Sequence, residues 1–279
     1  MASTGKIGHL LYKWRELMYR GFFRQAVRRV GLNKLLSDPY WKLVHKFSTD
    51  VQTHSIYGHE IDFKIDSHAE FMRFRNLAGE RIILEDLLCS LEPNDVVYDI
   101  GGNVGTYTCF IASILGPRQT IAFEPEPKNA DRLRDNLELN ELDAEVIEVA
   151  LSDADGTVEL ALSGEKAGEG EHAIATGQNK NTIEIEMTRG DAVIEQRNLP
   201  VPSVIKIDVE GAEMSTLRGL KGVLQKHVRL VYVEIHPEKI PEFGDSVPEV
   251  RAFLNDAGFE ITEMTSRGSE FFLRASKLA

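Results

Sequence analysis

The chain has 279 residues, of which 42% are hydrophobic and 27% are charged, and this supports a sizeable core. Its length suits one large globular domain or one domain with an extension. No run of about 20 apolar residues occurs, so a membrane-spanning helix is not expected. The first residues lack the apolar stretch of a secretory signal, and Cys89 and Cys109 have no metal-ligand spacing. We therefore expect a protein of the reducing cytoplasm.

The net charge of −12 is unevenly distributed along the chain. Residues 1–50 hold ten Lys and Arg and three Asp and Glu, a net +7, whereas the other 229 residues hold 22 basic and 41 acidic side chains, a net −19. An acidic body repels phosphates, so nucleic acid is not a predicted partner. The basic segment could contact an anionic membrane, placing the protein peripherally on the inner membrane face. Its apolar spacing favours a simpler interpretation, two short helices packed on the main domain.

The pattern that follows the basic segment changes near residue 96. Residues 51–65 alternate as a small hairpin, and a helix over 82–88 ends before Pro93. From residue 96, short apolar strands alternate with helices, which predicts an α/β fold with a parallel sheet covered on both faces. The predicted strands are 96–100, 120–123, 145–150, 204–207 and 230–235, and the predicted helices are 104–115, 128–140 and 214–224.

The end of the chain departs from this alternation. Strands over 259–264 and 270–274 are separated by a short turn, so we expect the sheet to finish on an antiparallel pair. We divide the chain into an N-terminal helical and hairpin extension, residues 1–94, and a main domain, residues 95–279.

An insertion separates the third and fourth core strands. Predicted strands over 157–162 and 182–187 bracket a polar, glycine-rich segment, residues 163–180, which is either a mobile lid or disordered. This insertion and the basic N-terminal region are expected to build the pocket for the substrate.

The strongest local signal lies where the first core strand meets its helix, in residues 97–105 (VYDIGGNVG). Glycines at this place let the backbone turn sharply and approach a ligand closely. A carboxylate at Asp99 would repel the pyrophosphate of a dinucleotide but would hold an amino group, which disfavours an NAD-dependent oxidoreductase. The predicted cofactor-binding residues of this segment are Asp99, Gly101, Gly102, Asn103 and Gly105.

The next two strand ends extend the predicted cofactor site. Glu124 ends the second strand, where a carboxylate can accept both hydroxyls of a ribose. Together, Asp99 and Glu124 fit S-adenosylmethionine (SAM) better than NAD. Ser152 and Asp153 follow the third strand and would lie beside the adenine.

Charged residues interrupt the apolar strand that begins at residue 204. Lys206, Asp208 and Glu210 alternate, so all three project from one face if the strand persists. Charges in a buried strand are costly unless they are paired or used. We predict catalytic roles for them, with Asp208 also near the cofactor; the alternative is a structural Lys206–Asp208 pair.

The neighbouring strand repeats this arrangement with Glu234 and His236. Histidine accepts protons near neutral pH, so we predict that His236, oriented by Glu234, removes the proton of a hydroxyl that receives a methyl group. Asp208 or Glu210 is the alternative base. The same side chains could hold Mg²⁺ or Mn²⁺, but their spacing matches no dedicated cage, so no metal is predicted.

Five segments in this order resemble the FkbM family of SAM-dependent methyltransferases. They are DIGGNVG (99–105), FEP (123–125), ALSD (150–153), IKIDVEGAE (205–213) and VEIH (233–236). The resemblance runs from about Asp95 to the C-terminal strand pair. It implies a Rossmann-like class I methyltransferase sheet whose last strand is antiparallel, and mostly O-methylation of sugars, glycans or polyketide-type products. Gly102 stands where the family usually has alanine.

The sequence therefore predicts a SAM-dependent O-methyltransferase that acts on a sugar hydroxyl of a glycan, glycolipid or secondary metabolite. N-methylation of a small molecule is an alternative. A non-catalytic cofactor-binding protein of the same fold is another, disfavoured because the charged residues of the site are all present. The sequence does not predict an oligomeric state.

Overall fold

The computed structural model describes residues 40–162, 173–174 and 181–277, and every structural statement below refers to these residues. The chain divides into two compact units between Ala78 and Gly79. We predicted this boundary after residue 94. The division in the structure comes earlier in the chain, because the helix expected over 82–88 belongs to the larger unit. Nearly all of the basic segment, with its two predicted helices, lies outside the described residues, and its contact with a membrane stays a prediction.

The smaller unit contains the predicted hairpin. Residues 40–46 are helical, and the following elements are β1 (Val51–Ile56), β2 (His59–Lys64) and α1 (His68–Phe74). Strands β1 and β2 pair antiparallel across a two-residue turn at Tyr57 and Gly58, both with positive φ. Helix α1 was not predicted, although Ser67 and Glu70 form a capping box at its start.

The larger unit alternates strands and helices. Its strands are β3 (Val97–Ile100), β4 (Thr120–Phe123), β5 (Glu145–Ile147), β6 (Ala150–Ser152), β7 (Gly156–Ala161), β8 (Ala173–Ile174), β9 (Thr182–Arg189), β10 (Val204–Ile207), β11 (Leu230–Ile235), β12 (Glu260–Arg267) and β13 (Glu270–Ser276). Its helices are α2 (Arg81–Ser90), α3 (Thr106–Ala112), α4 (Pro127–Leu139), α5 (Gly190–Gln196), α6 (Glu213–Gly219), α7 (Lys221–Lys226) and α8 (Val247–Asp256). No helix of the described ranges is long and apolar enough to cross a bilayer.

Seven strands form the central sheet, in the order β12-β13-β11-β10-β3-β4-β5. Strand β13 runs antiparallel to both of its neighbours, and the strands from β11 to β5 are parallel. Every residue of β3, β4, β10 and β11 is buried, as expected for strands covered on both faces. The predicted parallel sheet with an antiparallel end is confirmed.

A second sheet of four strands has the order β6-β9-β7-β8. The predicted strand pair in the insertion is confirmed as β7 and β9, which run antiparallel. The strand predicted over 145–150 is instead two strands in different sheets, β5 and β6. The helix predicted over 214–224 is also two helices, α6 and α7, which are separated at Leu220. Gly219, at the end of α6, packs against the backbone of Ser152, where an added Cβ would lie 1.8 Å from the carbonyl oxygen.

Buried ion pairing secures the amino ends of the central strands. Asp95 precedes β3, Ser203 precedes β10 and Arg229 precedes β11. The Asp95 carboxylate accepts hydrogen bonds from Ser203 Oγ at 2.6 Å and from Arg229 Nε at 3.1 Å. Because the strands are held in register here, the residues that follow them emerge together at the opposite edge of the sheet.

Candidate active site

The glycine loop after β3 approaches the loop after β10 very closely. Gly101 has a φ of +77°, and a Cβ there would lie 1.8 Å from the carbonyl oxygen of Asp208. The N–H groups of Gly101 and Gly102 both donate to the carbonyl of Phe123, at 2.9 and 3.1 Å. Gly101 is therefore required by the backbone. At Gly102 the one close contact of an added Cβ would be a side-chain methyl of Leu133, at 2.9 Å, and its other neighbours would lie at 3.4 Å or more, so the alanine usual in the family would need a small shift of that side chain.

Asp99 is fully buried and has two partners in the protein. Thr108 Oγ1 donates to its Oδ2 at 2.6 Å, and Nζ of Lys206 lies 3.1 Å from its Oδ1. Burial alone would lower the pKa of Lys206, but Asp99 and then Asp208 raise it above its ordinary value. Contact between Asp99 and the ammonium of a cofactor would require a partner to move. That role stays a prediction, and the contact seen in the structure is with Lys206.

Glu124 lies at the end of β4, and its carboxylate connects two loops. Its Oε2 accepts the N–H of Asn103 at 2.7 Å, and its Oε1 accepts the N–H of Glu126 at 3.0 Å. Asn103 has a positive φ of 49° and its own side chain accepts the N–H of Val104, which closes the loop locally. Burial raises the pKa of Glu124 to about 7.

His236, just after β11, lies between three carboxylates and is only 2% exposed. Its Nδ1 lies 2.6 Å from Oε1 of Glu213, and its Nε2 lies 3.2 Å from Oε2 of Glu210 and 3.9 Å from Oδ1 of Asp208. Burial by itself would lower the pKa of His236, but the hydrogen bond with Glu213 and the charges of Asp208 and Glu210 raise it to about 9. In this arrangement the imidazole is protonated on both nitrogens, and is therefore positively charged, at neutral pH.

The structure therefore corrects the predicted partner of His236. Glu213 occupies the hydrogen-bonding position at Nδ1 that was expected for Glu234. Glu234 still lies close, since it can place a carboxylate oxygen within 4.8 Å of a His236 nitrogen and a Glu270 oxygen. Glu213 belongs to the segment that carries the resemblance, but it starts a helix, and strand alternation does not indicate where its side chain points.

Glu210 reaches the cluster through a turn. Strand β10 ends at Ile207, so the three charges do not share a face by strand geometry as predicted. Instead, positive φ angles at Glu210 and Gly211 turn the chain, and Lys239 Nζ donates to Oε2 of Glu210. Burial and the nearby Asp208 raise the pKa of Glu210.

Two further side chains border the buried Lys206. Tyr107 stacks its ring 4.9 Å from Nζ of Lys206, and burial and the Glu80 carboxylate raise the pKa of the Tyr107 phenol. Neither Tyr107 nor Glu80 was predicted, since no spacing rule connects them with the motifs.

Ser152 and Asp153 lie at the end of β6, in the smaller sheet. Ser152 is buried, its Oγ lies 3.4 Å from Oδ1 of Asp153, and Asp153 lies 3.9 Å from Arg218. These contacts neither support nor oppose a place beside the adenine, which stays a prediction.

A sheet whose last strand in the chain, β13, is antiparallel and lies between β12 and β11, a glycine loop after β3 and a carboxylate after β4 define a class I, SAM-dependent methyltransferase. Residues 99–261, more than half of the chain, match the family model of the methyltransferase FkbM domain. The chain belongs to the FkbM family, as the motifs predicted.

The chain is also similar to individual proteins. The chain is 31% identical over 220 residues to the hexuronic acid methyltransferase AglP of Haloferax volcanii, covering 78% of this chain and 86% of AglP. It is 30% identical over 205 residues to the 2-O-methyltransferase NoeI of Sinorhizobium fredii, covering 67% and 82%. A crystal structure of magnesium protoporphyrin IX methyltransferase from Synechocystis with bound SAM aligns with 72% of this chain and 81% of that one, at 11% identity and a TM-score of 0.44.

Proposed function

We propose that Glu124 and the glycine loop hold SAM, which supplies a methyl group activated on a sulfonium. Two backbone N–H groups and the Asn129 side chain donate to the Glu124 carboxylate, whose two oxygens together offer about four lone-pair sites. One site therefore remains for a ribose hydroxyl. At Gly101 the backbone lies against the Asp208 carbonyl, so a cofactor on this loop would be next to the charged cluster.

The reaction that we propose is methylation of a sugar hydroxyl. The observation that carries it is the convergence of Asp208, Glu210 and His236 beside the glycine loop, with a carboxylate oxygen or ring nitrogen of each within 4.8 Å of the others. Such a set accepts hydrogen bonds from a hydroxyl and can take up its proton. Two relatives support a sugar hydroxyl as the acceptor: AglP is a hexuronic acid methyltransferase, and NoeI is a 2-O-methyltransferase.

The proton acceptor that we propose is Asp208, in place of His236. Both nitrogens of His236 face carboxylates and its side chain is buried, whereas the Asp208 side chain is 24% exposed. Oε2 of Glu210 is engaged by both Lys239 and His236. Asp208 also has a cationic neighbour, with Oδ2 lying 3.7 Å from Nζ of Lys206, but it is the most exposed of the three side chains, and we therefore assign the proton to it.

Transfer of an isotope-labelled methyl group to a panel of sugars tests the reaction. The panel pairs hexuronosides with the corresponding neutral hexosides and amino sugars, and the products are analysed by mass spectrometry before and after mild alkali. We expect an alkali-stable methyl ether on a hydroxyl. A product methylated only on nitrogen, an alkali-labile methyl ester, or no transfer to any sugar would refute the proposal.

The variant Asp208→Asn tests the proton acceptor. Loss of a general base costs 10²- to 10⁴-fold, so we expect kcat to fall at least about 100-fold with the KM for SAM nearly unchanged. The matched control is Asp256→Asn, at the exposed end of α8, which should keep full activity. Turnover by Asp208→Asn within threefold of the natural protein would exclude Asp208 as the base.

A further inference from the structure

We infer that Asp208, Glu210 and His236 form a binding site for a divalent cation, Mg²⁺ or Mn²⁺. This reverses the expectation drawn from spacing alone. The turn at Glu210 and Gly211, which the sequence pattern does not show, brings the ligand atoms within 4.8 Å of one another.

The distances in the cluster suit an octahedral ion. Neighbouring ligands of an ion bound at about 2.1 Å lie about 3.0 Å apart. Nε2 of His236 lies 3.2 Å from Oε2 of Glu210 and 3.9 Å from Oδ1 of Asp208. Small side-chain rotations of the two half-buried carboxylates would place all three atoms on one face of such an octahedron. Two carboxylates and one imidazole are a donor set that suits Mn²⁺ and Mg²⁺.

The surroundings of His236 resemble the outer shell of a metal site. A metal-ligating histidine commonly donates its other N–H to a carboxylate, which fixes the ring and its tautomer. Glu213 makes this contact with Nδ1 at 2.6 Å and is itself fully buried, held by the N–H of Gly211 at 3.1 Å. The ring is thereby oriented with Nε2 toward Asp208 and Glu210.

A cation bound here would replace the proton on Nε2 of His236 and would displace Lys239, whose Nζ donates to Oε2 of Glu210. Nζ of Lys206 also lies 3.7 Å from Oδ2 of Asp208. Three carboxylates lie within 4 Å of the two nitrogens of one imidazole. The second oxygen of Glu213 is buried and makes no hydrogen bond to any part of the chain that the structure describes. A divalent ion would supply the two positive charges of that proton and the displaced ammonium where these carboxylates converge.

The position of the site suggests its use, and this part of the inference rests on the proposed function. The backbone of Asp208 touches the glycine loop at Gly101, so an ion bound there would lie between cofactor and acceptor. An acceptor hydroxyl bound to the ion would lose its proton more easily, because the cation stabilises the alkoxide. The proton would pass to the Asp208 oxygen that does not bind the ion.

Binding of Mn²⁺ to the purified full chain, without cofactor or acceptor, tests the site apart from the reaction. We expect one ion per chain by titration followed with electron paramagnetic resonance. We also expect a coupled ¹⁴N signal in the pulsed spectrum of the natural protein. No saturable binding up to millimolar Mn²⁺ by folded protein would overturn the inference, as would a bound ion that lacks the nitrogen signal.

Variants then locate the ion. Asp208→Asn should weaken Mn²⁺ binding at least tenfold, and Glu213→Gln, which touches no ion directly, should weaken it about 10- to 100-fold through the imidazole. Glu263→Gln, an exposed partner of Arg251, is the matched control and should bind normally. Equal Mn²⁺ affinity in all three folded variants would refute the site. Mn²⁺ binding without methyl transfer to any sugar would refute only the proposed function.

Discussion

The pKa of Glu124 predicts that cofactor binding weakens in acid. Burial raises this pKa to about 7, although two backbone N–H groups donate to the carboxylate. Ribose hydroxyls donate best to the ionised form, so affinity should fall as the carboxyl takes up its proton. The ionised fraction decreases from about nine-tenths at pH 8 to about one-tenth at pH 6. The Kd of S-adenosylhomocysteine should therefore rise about tenfold, or about 1.4 kcal/mol, over this interval.

Calorimetric titration at several pH values, in two buffers of different ionisation enthalpy, measures this effect. At pH 7, where half of the Glu124 carboxyls are protonated, each binding event should release about half a proton. Glu124→Gln cannot ionise there, so the slope of its log Kd against pH should be about half a unit shallower at pH 7. Its affinity at pH 8 should be about 10- to 100-fold lower, because a hydrogen bond to a charged acceptor is lost.

Glu263→Gln again serves as the control and should keep both the affinity and the slope of the natural protein. The reasoning is refuted if Glu124→Gln keeps the pH slope, because the titrating group would then lie elsewhere. A natural protein whose affinity does not change between pH 8 and pH 6 would refute it equally.

Two other features predict measurable outcomes. Gly101→Ala must move the Asp208 backbone and adopt a positive φ, so we expect loss of binding to S-adenosylhomocysteine and a melting temperature lowered by several degrees. Gly102→Ala should retain binding, and equal behaviour of the two variants would contradict the glycine-loop geometry. Asp95→Asn should lower the free energy of unfolding by about 1.5 kcal/mol at pH 7, because Arg229, which is one-third exposed, loses its buried partner. The hydrogen bonds from Arg229 lower the pKa of Asp95 despite burial, so this stabilisation is present above about pH 4 and is lost as pH falls. Urea titrations at pH 7 and pH 3.5 should show that the difference in unfolding free energy between the natural protein and Asp95→Asn becomes smaller at the lower pH. A constant difference would contradict the assignment.

The sequence predicts those features of the fold that depend on a local pattern of apolar residues. Strands β4, β10 and β11 have the bounds that their apolar runs predicted, because a strand buried on both faces must be apolar throughout. The ends of such strands meet at one edge, which is why Glu124, Asp208 and His236 could be assigned to one site from the sequence.

The remainder depends on contacts between distant segments. Glu213 binds His236 because helix α6 begins beside the end of β11, and neither residue indicates this in its own sequence context. The division of the 145–150 strand between two sheets depends on β9, which follows far along the chain. Helix α8 is a different case, since Ser246 and Pro248 are ordinary signals of a helix start that the alternating pattern obscured.

The close packing of Gly219 on Ser152 makes the active site sensitive to a position outside it. Helix α6 begins with Glu213 and ends with Gly219, so its seven residues form one short rod between β6 and the active site. Any side chain at position 219 would push that rod away from β6, and its first residue would carry the carboxylate away from His236. A substitution there would disable the enzyme without altering a group that contacts substrate, and a screen for inactive variants should recover it among the catalytic positions.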